Sequence, residues 1–189
     1  MPEALYFTES DEANRLIASE PLALLVGFAI DQQITVQQAF SGPLKLQERI
    51  GTLDARSIAA MDPAALEAAF RQTPAIHRFP RVMAERVQEL CQVVTEEFDG
   101  DAARIWSEAS DAADLRKRIG ALPGFGDMKV RSLVATLIKQ FGVKPDGWEQ
   151  VLPSHPTLGD ADTPEALAAY QTAKREHKRQ VRAQRERKE

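Results

Sequence analysis

Cysteine is almost absent from this chain of 189 residues, which holds one, Cys91, with three histidines, two tryptophans and two tyrosines. One thiol cannot make an internal disulfide, and it cannot supply a four-cysteine zinc or iron–sulfur site within the chain. His155 and Asp160 have no partners at metal-ligand spacing, so no metal and no other cofactor is expected. Long apolar runs are missing as well. PLALLVGFAI, from Pro21 to Ile30, falls well short of the roughly 20 apolar residues a membrane span needs. No basic-then-apolar leader opens the sequence, so a cytoplasmic protein without membrane contact is expected. Convincing period-two alternation is also lacking, which argues against strands.

What is present favours helix: Ala, Leu, Glu and Arg dominate. Ser10 is placed to cap a short helix over Asp11–Ser19. Leu22–Ile30 is apolar on every side, as a buried central helix would be. After the polar break DQQ a further helix begins at ITVQQAF, with SGP (Ser41–Pro43) predicted to interrupt it. Asp62–Phe70 reads as a capped helix with Pro at its first turn. Met83, Val87, Leu90, Cys91, Val94 and Phe98 repeat at three and four, ending at Asp99–Gly100. Cys91 lies in that stripe and reads as a small buried hydrophobe. Further stripes are Ala112, Leu115 and Ile119, then Val130, Leu133, Val134, Leu137, Ile138 and Phe141, closed by Gly142. Pro164 opens a last helix. The expected fold is all-α.

Charge is uneven. The net value is −4, yet Thr172–Glu189 holds eight Lys or Arg against three Glu, or +5, leaving −9 for the rest. Local fields, not totals, govern the docking of a polyanion, so nucleic acid stays open as a partner. The tail reads either as a solvated terminus or as a source of phosphate contacts.

Between the stripes ending at Ile119 and starting at Val130 lies LPGFGDMKV (Leu122–Val130). Gly124 and Gly126 can adopt positive φ or approach another backbone closely. Their amides and the free N–H groups of the next helix would form an anion nest at a positive dipole end. Pro123 stiffens the entry, while Leu122 and Phe125 can anchor the loop. Such a turn suits a nucleic-acid phosphate, although a plain elbow in a helical bundle has the same outline.

LPGFGDMKV resembles the hairpin of the helix-hairpin-helix–GPD superfamily of base-excision DNA glycosylases, which includes endonuclease III, adenine glycosylases and alkyladenine glycosylases. The family pattern is L-P-G-[VI]-G-x-x-[TS]-A, and Lys129 and Val130 stand where its small pair is usual. GFAIDQQITVQQA (Gly27–Ala39) is similar to the family's helix–loop–helix that enters the minor groove. The resemblance spans roughly 22–148. It implies two helical lobes, one joining 1–20 to 143–189 and the other, 21–142, ending in a helix-hairpin-helix over 111–142. It also implies a monomer bound to duplex DNA with a damaged or mispaired base, and no iron–sulfur cluster. The DNA-binding set would be Leu122, Gly124, Phe125, Gly126, Met128, Lys129, Val130 and Arg131.

The family's catalytic aspartate lies twenty residues past the second glycine, on the loop closing the hairpin's second helix. Ungapped counting from Gly126 reaches Asp146, in VKPDGWEQV, where Pro-Asp-Gly is also a common turn string. Bifunctional members carry a Schiff-base lysine two residues past that glycine. Met128 stands there, and Lys129 lies about 100° further round the helix. A monofunctional hydrolase is therefore expected, since a thioether is no amine nucleophile. Ile30, Gln32 and Gln33 align with the loop that fills the hole left by an extruded base: the glutamines could bond an orphaned partner base, whereas Ile30 could only wedge. QQ could equally be a polar linker. His77 and Arg78 could reach the DNA backbone across the cleft or form a surface turn. The alternatives are a DNA-binding module without chemistry, or a helical protein–protein adaptor.

Overall fold

A computed structural model describes residues 2–186, with the side chains of 177, 178 and 181–186 left aside. Among the described residues there is no strand, and eleven α-helices and one 3₁₀ turn follow the chain. No single described helix is long and apolar enough to cross a membrane.

The first six helices form one packing group. α1 (Asp11–Ser19) is capped by the Ser10 side chain on the Ala13 amide and meets α2 (Pro21–Ile30) at a bend of 112°. Every α2 residue after Pro21 is buried, which explains its unbroken apolar composition: it packs on α1, α3 and α6. α3 (Val36–Ile50) starts at the Thr35 cap and stops at Gly51, whose φ is +77°. The predicted interruption at SGP does not occur. Pro43 removes one helical hydrogen bond, a cost of about 3 kcal/mol, and the buried Ala39, Phe40 and Leu46 offset it. Gly42 lets α3 close on Ile30, because a Cβ there would sit 2.5 Å from Ile30 Cδ1. α4 (Ala55–Ala59), too short to show a period, and α5 (Pro63–Arg71) both pack on α6 (Pro80–Glu97). Cys91 is fully buried in α6, and burial pushes its thiol up to about 12.

The second group is α7 (Arg104–Ser107), α8 (Ala112–Gly120), α9 (Asp127–Lys139) and α10 (Trp148–Val151), with the 3₁₀ turn Leu158–Asp160 laid on α9. α11 (Pro164–Glu186) leaves that turn and carries much of the basic tail; residues 187–189 lie outside the described residues. Packing thus divides the chain differently from the sequence expectation. The N-terminal helix sits on α2 and α3 in the first group, and the 143–160 segment packs with α8 and α9. The apolar stripes of α1 and α9 face different neighbours, which sequence periodicity cannot distinguish. α11 reaches back to the first group through Gln171 and Gln37, whose amides exchange hydrogen bonds of 2.9 and 3.2 Å.

Candidate nucleic-acid interface

The hairpin is built by its apolar residues and left open by its glycines. Leu122, Phe125 and Val130 are buried in the common core, and the Phe125 amide donates to the Leu122 carbonyl at 3.2 Å. Those anchors hold Gly124 at φ +81°, the left-handed region that favours glycine. Gly126 caps α9 with ordinary extended backbone, φ −78° and ψ 170°. Both glycines face solvent. Among the described residues, the amides of Gly126, Asp127, Met128 and Lys129 donate to no other group. Four N–H groups at a helix start form an anion seat. Asp127 would repel a phosphate there, but Arg131 at 2.7 Å and Arg116 at 3.5 Å hold its carboxylate. Met128 is 73% exposed, beside the seat.

Lys129 turns the other way, into the crevice between the hairpin and the loop after α2. Its Nζ donates to the Ala29 carbonyl at 2.8 Å. Burial, reinforced by the Arg86 guanidinium and opposed by Asp31, brings its ammonium down to about 8. Asp31 lies on the same loop. Burial raises its carboxyl above the ordinary value, against the attraction of Lys174 and Lys129. Arg86, from α6, spans the crevice: Nη1 donates to Gln32 Oε1 at 2.6 Å, and its aliphatic stem lies against Gly124. The two motifs read separately in the sequence therefore meet at one place.

The loop itself is held in an unusual shape. Gln33 has φ +58°, and the Gln32 amide donates to the Ile30 carbonyl at 2.7 Å. His77 is fully buried behind it, so it does not reach across the cleft, while Arg78 is exposed over the Phe79 ring. The Phe79 amide donates to His77 Nδ1 at 3.0 Å, which leaves the proton on Nε2 for the Gln32 carbonyl at 2.9 Å. The Phe79 bond requires an unprotonated Nδ1, and burial holds the ring's pKa below the ordinary 6.5, against the Gln32 carbonyl, which favours the proton. The sign follows: stability supplied by neutral His77 is present above pH 6.5 and is lost as pH falls through its depressed folded value. Melting temperature should therefore drop from pH 6.5 to 5, and His77→Gln, less stable at pH 7, should lose part of that slope. Parallel melting curves for the two proteins would refute the assignment.

Of the three residues expected to fill a vacated stack, Gln32 and Gln33 are exposed. Ile30 is not available. It is fully buried, packed where a Gly42 side chain would otherwise stand, because it is the last residue of the all-apolar α2.

Asp146 is exposed, and its carbonyl accepts from the Ala112 amide at 2.9 Å, at the start of α8. The nine residues of α8 separate that point from the hairpin, about 13 Å along the axis. The structure does not bring it into the Lys129 crevice. Sequence counting missed the longer course of this segment, which carries two more aspartates before α11. Asp160 is bound by Lys139 and by the Thr157 amide and hydroxyl. Asp162 is exposed one residue before Thr163, whose hydroxyl accepts from the Ala166 amide in the first turn of α11. Asp31 and Arg86 carried no role in the sequence reading, and Lys174 only a share in the basic tail. The only signal available was an acid directly before QQ, at the end of an all-apolar helix. Among the described residues no cluster of His, Cys, Asp or Glu could hold a metal ion.

A solvent-facing glycine hairpin with unbonded amides, opening beside a crevice between two helical groups, defines a helix-hairpin-helix DNA-binding protein. The chain belongs to the HhH-GPD superfamily of base excision DNA repair proteins, whose model it matches over residues 26–187. No curated protein and no solved structure matches it. Its function is accordingly of the DNA glycosylase type, a hydrolase class acting on glycosyl bonds, with DNA as substrate.

Proposed function

We propose that the chain is a monomeric glycosylase that draws a damaged or mispaired base of duplex DNA into the crevice beside Lys129 and Asp31 and hydrolyses its N-glycosidic bond. The observation that carries this reading is the meeting of three parts. The unbonded amides of Gly126–Lys129 offer a seat for a backbone phosphate, Gln32 and Gln33 are exposed on the loop that Arg86 holds, and the half-buried Asp31 stands on that same loop in the field of Lys129. Extruding a base leaves a gap in the stack, and the two glutamines carry amides able to bond the orphaned partner. In the reaction a water oxygen bonds to the sugar carbon as the C–N bond breaks. The electron pair leaves with the base, which takes up a proton. Positive charge develops on the sugar, and a fixed carboxylate stabilises it.

Asp31 is the carboxylate we assign to that work, in place of Asp146. It is on the loop that Arg86 bonds and in the field of Lys129, whereas Asp146 lies a helix length away. Base release should be assayed on duplexes carrying uracil, hypoxanthine, oxoguanine or alkylated bases. Asp31→Asn should lower release by about a hundredfold or more, as loss of a charge-stabilising group does. Asp146→Asn should leave it within about twofold, as expected for an exposed group outside the crevice. Loss confined to Asp162→Asn would move the charge to the start of α11. Tight, salt-sensitive duplex binding with no release from any lesion would make the protein a binding module instead.

Hydrolysis without strand cleavage is the reading that Met128 supports. One observation favours a second: Lys129 is an amine in the crevice with a pKa near 8, partly unprotonated close to neutrality. Borohydride added to a mixture with abasic duplex discriminates. No covalent adduct is expected. An adduct that disappears in Lys129→Met would assign amine attack to Lys129.

A further inference from the structure

We infer that Arg86 fixes Gln32 as a hydrogen-bond donor, so that the chain favours cytosine as the orphaned partner and a damaged guanine as the base it extrudes. This rests on the glycosylase reading and deepens it. Of the four hydrogen-bonding groups of Gln32, three are taken by the protein. Its main-chain amide donates to the Ile30 carbonyl at 2.7 Å, and its carbonyl accepts from His77 Nε2 at 2.9 Å. Oε1 accepts from Arg86 Nη1 at 2.6 Å. A guanidinium has five N–H donors and no acceptor, so the side-chain amide cannot turn over: that would set N–H against N–H. Arg86 is itself held in place. Its stem lies where a Gly124 side chain would otherwise stand, 2.5 Å from Cδ, and Nη1 also meets Met83 Sδ at 3.6 Å.

What remains on this exposed residue is Nε2, with two N–H donors and, among the described residues, no acceptor. Cytosine presents two neighbouring acceptors, N3 and O2, on its pairing edge, and they suit such a group. Guanine presents two neighbouring donors, N1–H and its exocyclic amine, which oppose it. Adenine and thymine mix the two kinds and fall between. Gln33 is exposed, and no described side chain fixes its amide, which turns to suit any base and adds no preference. A cytosine left without its partner was paired with a guanine, so the extruded base is a damaged guanine. Uracil opposite guanine is the disfavoured case.

The test is equilibrium binding of the full chain to duplexes of one sequence that carry a tetrahydrofuran abasic analogue opposite each of the four bases. Cytosine should be bound about tenfold more tightly than guanine, as one hydrogen bond made rather than opposed would give. Gln32→Glu, with one oxygen on Arg86 and the other able only to accept, should reverse the order, whatever the added charge does to affinity for all four. Arg86→Met keeps a stem beside Gly124 but frees Oε1, and should bring the ratio to within about twofold. Gln33→Ala should keep the parent's ratio. Equal binding opposite all four bases, a cytosine preference that survives Gln32→Glu, or one lost in Gln33→Ala overturns this inference and leaves the glycosylase reading standing. An abasic duplex bound no more tightly than the intact one takes the glutamines out of the gap, so that reading falls and the inference with it.

Discussion

Gly159→Ala should lower the unfolding free energy by about 3 kcal/mol and the melting temperature by about 6–12 °C. Gly159 is the middle residue of the 3₁₀ turn on α9. A Cβ there would stand 2.6 Å from the Ala135 carbonyl carbon and 2.7 Å from the Thr136 nitrogen. Both are backbone atoms in a buried helix and cannot move aside, so the turn must lift. Lifting it removes the Gln140 bond to the Gly159 carbonyl and the Lys139–Asp160 pair, and exposes Leu158 and Ala161. It also frees the start of α11, which sets where Gln171 and Lys174 reach the opposite group. Activity on DNA should fall with stability. A melting temperature within about 1 °C of the parent would mean that the turn is not seated on α9 as described.

The second large effect separates folding from binding. Gly124→Ala should weaken duplex binding by about tenfold or more and also lower stability, because a non-glycine residue at φ +81° is strained by about 1–2 kcal/mol. Its Cβ would further press to 2.5 Å from Arg86 Cδ, disturbing the side chain that holds Gln32. Gly126→Ala is the informative partner. Gly126 has ordinary φ and nothing within 4 Å of its added Cβ, so the fold should accept alanine unchanged. If a phosphate lies against this backbone, binding should still fall by about tenfold, and the salt dependence should become shallower as phosphate contacts are lost. A Gly126→Ala protein that melts and binds like the parent would remove the phosphate from the hairpin.

Much of the fold was legible in the residues because helices bury one stripe at a fixed period. The caps at Ser10 and Asp62, the α6 stripe and the buried Cys91 stand where their local chemistry puts them. The places where structure and residue pattern part have a common cause. Ser41–Pro43 contains residues that break isolated helices, and only the neighbours on α2 and near Ile76 make glycine useful and proline tolerable there. Ile30 looked available for DNA because a residue before a polar loop is often exposed, but its side chain points into the core. Asp146 was reached by counting residues. A count along the chain carries no information about distance when the segment includes turns of its own.

By itself the sequence determined the class of the fold, the glycine hairpin with its apolar anchors, and the absence of a thiolate cluster. Each of these follows from local chemistry: periodicity, backbone freedom and the count of one residue type. Only the tertiary structure decided that Lys129 faces inward while Met128 faces out, that Asp31 and Arg86 come beside it, and that His77 is buried behind their loop. Those residues come from four separate segments. Their meeting depends on how helices pack on one another, through burial energies that sum over the whole core and leave no mark on any one stretch of chain.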